Sequence, residues 1–370
     1  MTEVTLATAS EKQVWINTYF AEYVRASRFQ PYISNADLNK GGVILSRYEL
    51  QEEAGKIINI PFIGRLKGSG VTGAQVLDGA EEELTNHNCA IAVDWRRNGV
   101  RVPKSTGFRT EINLLNAAKD ALQGWEAEKL RDDIIRAFAA AAVGGDATVD
   151  FHLAGAAQRD AWLAANADRV LFGAARSNFN AVFATAAAAL DTGADRAGVA
   201  AIGLGKRMAK AADPHIRPFR TEDGREYFVA FHGARTFRDL KADPVMVGAN
   251  TQARAREGEG MDRNPIFQDG DLLYDGVIHR EVPEIDDYCA IAGLDGIGAA
   301  GADVRPVFLS GAGAVAIAWG QEPTPRADFV KDYGFRPGVA IEELLGVKKI
   351  AFDGKQNGVV TCFFAAAADS

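Results

Sequence analysis

The spacing of Gly68, Gly70 and Gly73 matches the Gly-x-Gly-x-x-Gly fingerprint of dinucleotide-binding proteins. In that fingerprint the glycines allow a tight turn, and the N-terminus of the following helix faces a pyrophosphate. Asp94 lies at about the sequence distance where such proteins carry the acid that binds the ribose. This pattern would bind NAD, so a cytoplasmic NAD-dependent oxidoreductase that uses the loop Gly68-x-Gly70-x-x-Gly73 is our alternative function.

The residues around the three glycines favour a different structure. Pro61 interrupts the strand that would precede them, whereas the first strand of a dinucleotide-binding domain is buried and fully hydrogen-bonded. Gly79 lies where the following helix should be firm, and no alternation of strands and helices follows. We therefore predict that the glycines form the flexible tip of a hairpin, and that the protein binds no cofactor.

Charged clusters in the same hairpin are the next candidates for chemistry. Carboxylate clusters form catalytic pairs or metal sites in some proteins, but a solvated surface is the commoner explanation. Because exposed charges set register and specificity at interfaces, we predict instead that these charges are intersubunit contacts, and that reversing two of the arginines leaves the fold unchanged. The candidate contacts are Glu81, Glu82, Glu83, Arg96, Arg97 and Arg101.

The cysteines and histidines indicate neither a metal site nor a nucleophile. Cys89, Cys289 and Cys362 lie far apart, each in or beside an apolar stretch, and none belongs to a Cys-x-x-Cys pair. The five histidines are scattered, with no His-x-x-x-His spacing. Ser310 lacks the Gly-x-Ser-x-Gly frame of a nucleophile elbow. The sequence therefore predicts three buried thiols, no metal and no catalytic residue.

The elements that would position these residues are a hairpin and a long helix. Residues 56–64 read as an edge strand, and residues 90–102 read as the returning strand, with a turn near Asn98 and Gly99. The glycine-rich segment between the strands is long for a loop inside a compact domain, which indicates function or mobility. Residues 110–143 place apolar side chains along one stripe of a helix about 50 Å long.

The remaining chain separates into helical and strand-rich parts. Residues 1–45 read as an extended arm that lacks a core of its own and contains a helix at 13–28. Because helices and strands are segregated and do not alternate, we predict the α+β fold class. Further helices are predicted at 158–172, 178–190 and 195–212, and strands begin at 227, 276, 304 and 358.

Composition limits the classes of function. The chain has 370 residues, of which 47% are hydrophobic and 24% charged, as expected for a globular protein. It has no apolar run of the about 20 residues that cross a membrane, and its first residues do not resemble a secretory signal. The net charge of −8 argues against a tight nucleic-acid partner, but it permits a protein that surrounds nucleic acid.

This order of elements resembles the HK-97-type fold of tailed-bacteriophage major capsid proteins, and several stretches resemble the podovirus branch. The resemblance covers nearly the whole chain, and its weight lies in the combination of stretches more than in any single motif. The stretches are GVTGAQVLDGAEEEL, DWRRNGVRV, NPIFQDGDLLYDGVIHREV, KDYGF and GVKKIAF.

The resemblance implies a subunit with an N-terminal arm, an extended hairpin called the E-loop, a peripheral domain with a long spine helix, and an axial domain. The final segment would return to the peripheral domain and end in a C-terminal strand. The implied segments are the arm at 1–55, the E-loop at 56–105, the peripheral domain at 106–214 with the spine helix at 110–143, the axial domain at 215–305 and the return at 306–370.

The resemblance also implies a function. The protein would be no enzyme but a structural subunit that assembles as hexamers and pentamers into an icosahedral head around double-stranded DNA, without sequence-specific binding and without a membrane. Its partners would be further copies, a portal and decoration proteins. A separate scaffolding protein is expected because the sequence shows no long N-terminal segment of the kind that some relatives cleave off. The subunit would be made in the host bacterial cytoplasm and end in the virion.

Overall fold

The computed structural model describes residues 27–34, 42–52, 55–108, 113–220, 224–249 and 272–367. The chain divides into two compact units. The smaller unit is built around Trp95–Leu130 and Gln321–Leu344, and the larger unit around Arg28–Asp94, Arg131–Gly320 and Leu345–Ser370. Helices and strands are interspersed along the chain and are not segregated as the sequence analysis predicts. The fold combines helices with mixed and antiparallel sheets, so the α+β fold class is confirmed.

Strands and helices of the described residues are numbered in chain order. The strands are β1 Ile33–Ser34, β2 Ile44–Arg47, β3 Ile57–Ile63, β4 Asn86–Ala92, β5 Asp94–Arg101, β6 Ala141–Gly144, β7 Ala147–Val149, β8 Val170–Phe172, β9 Phe219–Arg220, β10 Glu226–His232, β11 Leu272–Tyr274, β12 Val277–Glu281, β13 Asp303–Ser310, β14 Val315–Asp328, β15 Gly338–Lys349, β16 Ala351–Phe352, β17 Lys355–Gln356 and β18 Val359–Ala366. The helices are α1 Glu49–Glu52, α2 Lys104–Gly107, α3 Leu114–Ala139, α4 Ala156–Ala165, α5 Phe183–Ala188, α6 Val199–Ala211, α7 Ala234–Ala242, α8 at 244–249 and α9 Glu284–Ile291.

The larger unit is centred on a mixed sheet in the order β11-β12-β10-β13-β18-β8, with β9 beside β10. β13 is antiparallel to both β10 and β18, whereas β12 is parallel to β10 and β8 is parallel to β18. The predicted strands near 227, 276, 304 and 358 are therefore confirmed. Every residue of β18 is buried, so both faces of the sheet are covered at this strand.

Side chains of β18 alternate between the two faces of this sheet, as the period of two in a strand requires. Cys362 and Phe364 pack in one core with Met208 of α6. Phe363 lies instead against Trp162 of α4, with the ring centroids 6.3 Å apart. Helices on both faces of the sheet therefore pack against the C-terminal strand.

Helix α6 lies within the predicted segment 195–212, and two glycines of this segment have structural roles. Gly198 precedes the helix as its N-cap residue. A Cβ atom on Gly205 would lie 3.2 Å from the Cys362 sulfur, so glycine lets the helix pack closely against β18. Gly205 therefore lowers the helix propensity of α6 but lets the helix lie close to the sheet.

The predicted long helix is present as α3, but its predicted end at 143 is wrong. The helix ends at Ala139, and the next residues form β6, which is antiparallel to β7. Gly144 and Gly145 have φ values of 125° and 54°, so these glycines form the turn of a small hairpin. Residues 109–112, where we placed the start, lie outside the described part of the chain.

The apolar stripe of α3 is confirmed in both units that the helix passes through. In the smaller unit, Leu122 packs with Val339 and Ile341 of β15. In the larger unit, the Phe138 ring stacks 5.8 Å from the Phe29 ring. One continuous helix therefore contributes to the core of each unit.

Two further helix predictions are wrong in extent, because tertiary contacts end the helices early. The helix predicted at 158–172 ends at Ala165, where the Asn166 amide donates to the carbonyl groups of Trp162 and Gly354. Residues 170–172 form β8 instead, a short parallel partner of β18. The helix predicted at 178–190 is reduced to α5.

The returning strand of the hairpin also differs from the prediction. Residues 86–92 and 94–101 form two separate strands, and Asn98 and Gly99 lie inside β5 and form no turn. Glycine is required at position 99 for another reason. A Cβ atom there would lie 3.0 Å from the Ala340 side chain of the neighbouring β15.

The described part of the arm packs on the chain itself. Phe29 is fully buried against Phe138 and Phe231, and Tyr32 packs edge-on against Phe231. β2 lies parallel to β1 and to the first residues of β14. The predicted helix at 13–28 lies almost entirely outside the described residues. Phe29, Tyr32 and β2 are thus held by contacts within the larger unit.

Lys349 is a fully buried amine at the end of β15. Its Nζ donates to the Ala140 carbonyl at 2.7 Å and to the Gln356 side-chain oxygen at 3.1 Å. Burial lowers the pKa of Lys349 to about 7, because a charged ammonium is disfavoured away from water. The folded protein therefore releases this proton at lower pH than the unfolded chain does.

This shift predicts a pH-dependent stability. Between about pH 7 and pH 10 this lysine binds more protons in the unfolded chain than in the folded protein. The contribution of Lys349 to the free energy of unfolding therefore rises with pH, by up to about 1.4 kcal/mol per pH unit. We expect Lys349→Met to remove that slope when urea unfolding is measured at pH 7, 8 and 9. Lys348→Met, at a partly exposed neighbour, should keep the wild-type slope. Identical slopes for wild type and Lys349→Met would contradict this account.

Candidate assembly surface

The predicted hairpin is formed by β3 and β4 of the larger unit, which pair antiparallel. Its side chains alternate: Ile58 and Ile60 are buried, whereas Ile57 and Ile63 are exposed. Pro61 is tolerated because the two strands form a sheet of their own, in which each is an edge. The edge-strand prediction for residues 56–64 is therefore confirmed.

The loop between these strands is closed at its root by two carboxylates. Glu82 accepts hydrogen bonds from the backbone N–H groups of Lys67 and Gly68, which joins the two limbs of the loop. Asp213, which follows α6, accepts a hydrogen bond from the Lys67 ammonium and lies 3.6 Å from the Arg65 guanidinium. The root is thus held to the body of the larger unit through Asp213.

These contacts keep both carboxylates charged. The N–H donors of Lys67 and Gly68 lower the pKa of Glu82, and the hydrogen bond from Lys67 lowers the pKa of Asp213. The side chains of Lys67 and Asp213 are 59% and 47% exposed. Exposed pairs of this kind contribute about 0–1 kcal/mol each, so they orient the loop more than they stabilise the fold.

The base of the hairpin is fixed more firmly. Asp146 accepts a hydrogen bond from the Ala90 N–H at 2.8 Å, and Lys348 donates to the Ala90 carbonyl at 2.7 Å. The hydrogen bond from Ala90 lowers the pKa of Asp146. Phe62 of β3 also stacks on Phe352 of β16, with the ring centroids 4.6 Å apart. The strands are therefore anchored, and the loop projects from an ordered base.

The far part of the loop, residues 68–85, is called the distal loop below. It contains no helix and no strand, and nearly all of its side chains are exposed. Exposed apolar side chains include Val76, Leu77 and Leu84. No surface of the described part of the chain covers these side chains. Their contact with water is unfavourable, because they are apolar.

The glycine fingerprint in this loop does not have dinucleotide-binding geometry. Gly70 and Gly73 have φ values of 64° and 66°, and a Cβ atom on either would meet nothing within 4 Å. The strand before them is an antiparallel edge, and no helix occurs in the described residues 64–85. These glycines form exposed turns, as predicted, and the oxidoreductase alternative is not supported.

The predicted contact residues fall into two groups. Glu81, Glu82 and Glu83 lie on the exposed distal loop of the larger unit. The arginines lie on β5 in the smaller unit, where they meet carboxylates of the same chain. Arg101 pairs with Asp328 at 3.1 Å, and the charge of Arg97 acts on Glu342.

Arg96 belongs to a buried ion pair. It hydrogen-bonds Glu343 of β15, whose side chain is 1% exposed. The nearby Glu126 of α3 is partly buried, and its pKa is raised by burial and then by the charge of Glu343. Arg96 is thus the cation that compensates a carboxylate taken out of water, a role that the sequence prediction did not assign to it.

The smaller unit also exposes a group of large apolar side chains, called the aromatic patch below. Phe108 follows α2, and the other members lie on the turn between β14 and β15. Lys104 N donates to the Phe335 carbonyl at 2.9 Å, which joins the two segments. The patch consists of Phe108, Phe329, Val330, Tyr333 and Phe335.

The three cysteines are buried thiols, as the sequence analysis predicts. Cys89, Cys289 and Cys362 are free and buried, and burial raises the pKa of each thiol, to about 12 for Cys362. No group of three or more potential metal ligands occurs among the described residues. None of their helices is both long enough and apolar enough to span a membrane.

The protein has a well-packed body and exposes several large apolar side chains. Comparison with known proteins identifies its class. The family model described as "Phage capsid protein" matches residues 3–362. The major capsid protein of Pseudomonas phage KPP25 is 27% identical over 374 residues, which cover 97% of this chain and 96% of that protein. The solved cyanophage Pam1 capsid asymmetric unit is 44% identical with a TM-score of 0.89, and the capsid of Ralstonia phage GP4 is 20% identical with a TM-score of 0.71; each match covers 100% of both chains.

The chain therefore belongs to the phage capsid protein family. It is a major capsid protein with the HK-97-type fold, and its role is structural, as a component of the phage shell. The resemblance that the sequence stretches suggested is confirmed.

Sequence reasoning missed the anchoring residues and the aromatic patch. Asp213 directly follows the helix predicted at 195–212, and nothing near it in the sequence indicates that it holds the loop root from 146 positions away. Asp146 and Lys348 gave no local signal, because their partners are backbone atoms distant in the chain. Phe335 was noticed only as part of KDYGF, a stretch shared with the family.

The buried ion pair of the smaller unit generates a prediction with a matched control. Arg96→Glu would place a second carboxylate against the buried Glu343, and we expect it to lower the free energy of unfolding by about 3 kcal/mol. Arg97→Glu, one position away and exposed, should change it by less than about 0.5 kcal/mol. Urea unfolding of both variants measures the difference. Equal, small effects would mean that Arg96 is only a surface charge.

Proposed function

We propose that copies of this chain assemble as hexamers and pentamers into a closed icosahedral shell around double-stranded DNA. The observation that carries the proposal is the distal loop, which is long, exposed and partly apolar, in a member of a capsid family. Such a segment is stabilised when another copy covers it. Interfaces between permanently associated subunits are much larger than transient contacts and bury surfaces of this kind.

The domain names that follow from the resemblance belong to the same proposal. We assign 1–55 to the arm, 56–105 to the E-loop, α3 to the spine helix, 215–305 to the axial domain, and 106–214 with 306–370 to the peripheral domain. The central sheet crosses several of these segments, because β8 pairs with β18 and β10 pairs with β13. The peripheral and axial segments, which both contribute strands to this sheet, are therefore not independently stable modules.

The proposed subunit is no enzyme. Its partners are further copies of the chain and, as the resemblance implies, a separate scaffolding protein, a portal and decoration proteins. It encloses DNA without sequence-specific contacts, which suits a net charge of −8 because phosphates are not attracted to an acidic surface. It is synthesised in the host bacterial cytoplasm and becomes part of the virion.

For the contact residues, we propose that Glu81, Glu83 and Arg97 face a neighbouring subunit, since their side chains are exposed. Glu82, Arg96 and Arg101 have roles within their own chain as well, through their contacts with Lys67, Glu343 and Asp328.

Assembly is tested by comparing the purified chain with a variant that lacks the loop tip. In the variant, residues 69–81 are replaced by two glycines, which keeps the contacts of Glu82 with Lys67 and Gly68. We expect the wild type to form shells or rings in negative-stain micrographs, and the variant to remain small. Because the root contacts persist, the free energy of unfolding of the variant should lie within about 1 kcal/mol of the wild type. A wild-type chain that stays a compact monomer at high concentration would contradict the proposal, as would normal shells from the variant.

A further inference from the structure

Two histidines lie side by side inside the larger unit, on adjacent strands of the central sheet. His232 ends β10 and His279 lies in β12, and both residues are buried. The His232 Nε2 and His279 Nδ1 atoms are 3.0 Å apart, so one imidazole donates a hydrogen bond to the other. The contact between the two rings therefore holds a single proton.

The surroundings of this imidazole pair do not compensate an added proton. The Nδ1 atom of His232 is buried and has no hydrogen-bond partner among the described residues. No carboxylate of the described residues pairs with either ring. A further proton would therefore either place an uncompensated charge away from water or, at the contact itself, break the hydrogen bond between the rings.

Both rings are consequently neutral in the folded protein at ordinary pH. Burial, and then the neighbouring His279, lower the pKa of His232 well below its usual range, and burial lowers the pKa of His279 to about 3. An imidazole in water has a pKa of about 6.5. Because the folded pKa values are the lower ones, the pair does not oppose folding above about pH 6.5 and opposes it increasingly as the pH falls below that value.

The carboxylates on the elements around the pair do not neutralise it. Glu281 of β12 is half-buried and aligned with His232 in the sheet, but it forms no ion pair with either ring. Asp286 of α9 accepts a hydrogen bond from the Arg235 N–H at 3.0 Å and lies 3.3 Å from the Arg305 guanidinium. These acids are thus separate from the imidazole pair.

The other charged and titratable groups on these elements also have partners of their own. Arg235 of α7 pairs with Asp303, and the Lys241 ammonium of α7 lies 4.8 Å from the centroid of the Phe237 ring. Strand β11 contributes Tyr274, which carries no charge in acid. The remaining groups of this kind are the ion pair Arg238–Asp239 of α7 and Arg305 of β13, which pairs with Asp286, Asp295 and Asp303.

Helix α7 covers the pair. The centroid of its Phe237 ring lies 6.0 Å from the centroid of the His232 ring. Phe237 packs in one apolar cluster with Met246 of α8 and Leu272 of β11, the edge strand of the sheet. Leu272 is also aligned with His279. Because α7 and β11 share this cluster, a disturbance beneath Phe237 affects both elements.

We propose that the buried imidazole pair is an acid-sensitive latch: when the pair is protonated, α7 and β11 open together, while the centre of the sheet at β18 stays folded. β18 packs instead in cores with α6 and with Trp162, and neither core contains a histidine of the pair. The inference concerns the single folded chain and does not depend on assembly. It makes one edge of the proposed axial domain responsive to acid.

The opening is measured by amide hydrogen exchange of residues 234–242 in the unassembled full chain at pH 7.5 and pH 5.0, corrected for intrinsic exchange rates. An opening that frees one imidazole is favoured about 30-fold more at pH 5.0 than at pH 7.5, and an opening that frees both about 1000-fold more. We therefore expect the opening constant of α7 to rise by at least about 100-fold, while the amides of β18 remain protected at both pH values.

Matched variants assign this rise to the pair. In His232→Leu with His279→Leu both hydrogen-bond partners become apolar, which leaves no polar group unpaired, and the rise should fall below about tenfold. His152→Leu, at an exposed histidine, should keep the wild-type rise. An opening constant that is equal at both pH values would overturn the proposal, as would a double variant with the wild-type rise. Joint loss of protection in α7 and β18 would also overturn it, because the chain would then unfold as a whole.

A second measurement, on the wild type, covers the case in which the double variant does not fold. Exchange of the imidazole C2 hydrogen, followed by mass spectrometry from pH 4 to pH 9, reports the titration of each histidine separately, with the exposed His152 as the reference. We expect no titration of His232 or His279 above about pH 5.5. Titration of either ring near about pH 6.5, with α7 still protected at pH 5.0, would overturn the proposal, because the closed structure would then tolerate the charge.

Discussion

The burial of β18 is the constraint on which the larger unit depends. This strand joins β13 on one side to β8 on the other, and all of its residues are buried. Its alternate side chains serve two cores, with Phe364 packing toward α6 and Phe363 toward Trp162. Because β18 lies near the end of the chain, the sheet is completed only when segments far apart in sequence have come together. The anchors of the hairpin base, Asp146 and Lys348, are placed by this same body.

The exposed parts of the molecule contrast with that body. The distal loop is tied at its root by charges that are largely exposed, so its position is defined while little of it is buried. The aromatic patch is presented by a strained turn, a cost that a monomer has no evident reason to bear. Both features fit the proposed assembly, in which other copies of the chain would cover these surfaces and offset the free energy lost in the isolated chain.

The sequence predicted the fold class, the edge strand with Pro61, the exposed glycine turns and the buried thiols, because each depends on local chemistry or on simple periodicity. It overextended α3, since an alanine-rich stretch is compatible with a helix while Gly144 and Gly145 favour a hairpin turn. It placed a turn at Asn98 and Gly99, where glycine is needed because β15 passes close by. The error at Asn98 and Gly99 therefore arises from a contact with a residue distant in the chain, whereas the end of α3 is set by the local turn at Gly144 and Gly145.

The candidate surface was predictable in part. The run Glu81 to Glu83 is exposed as expected, but nothing local distinguishes Arg96, which is buried against Glu343, from the exposed Arg97. An ion pair between residues separated by 247 positions cannot be inferred from spacing along either strand. The aromatic patch likewise arises from two segments that are brought together only in the folded smaller unit.

The central claim is that the distal loop gains its partner from another copy of the chain. Amide hydrogen exchange of residues 68–85, measured by mass spectrometry on unassembled subunits and on shells, tests this claim most directly. The account predicts fast exchange in the subunit and strong protection in the shell, while the amides of β18 are protected in both. Equal, fast exchange of the loop in both states would contradict it, because the loop would then remain uncovered after assembly.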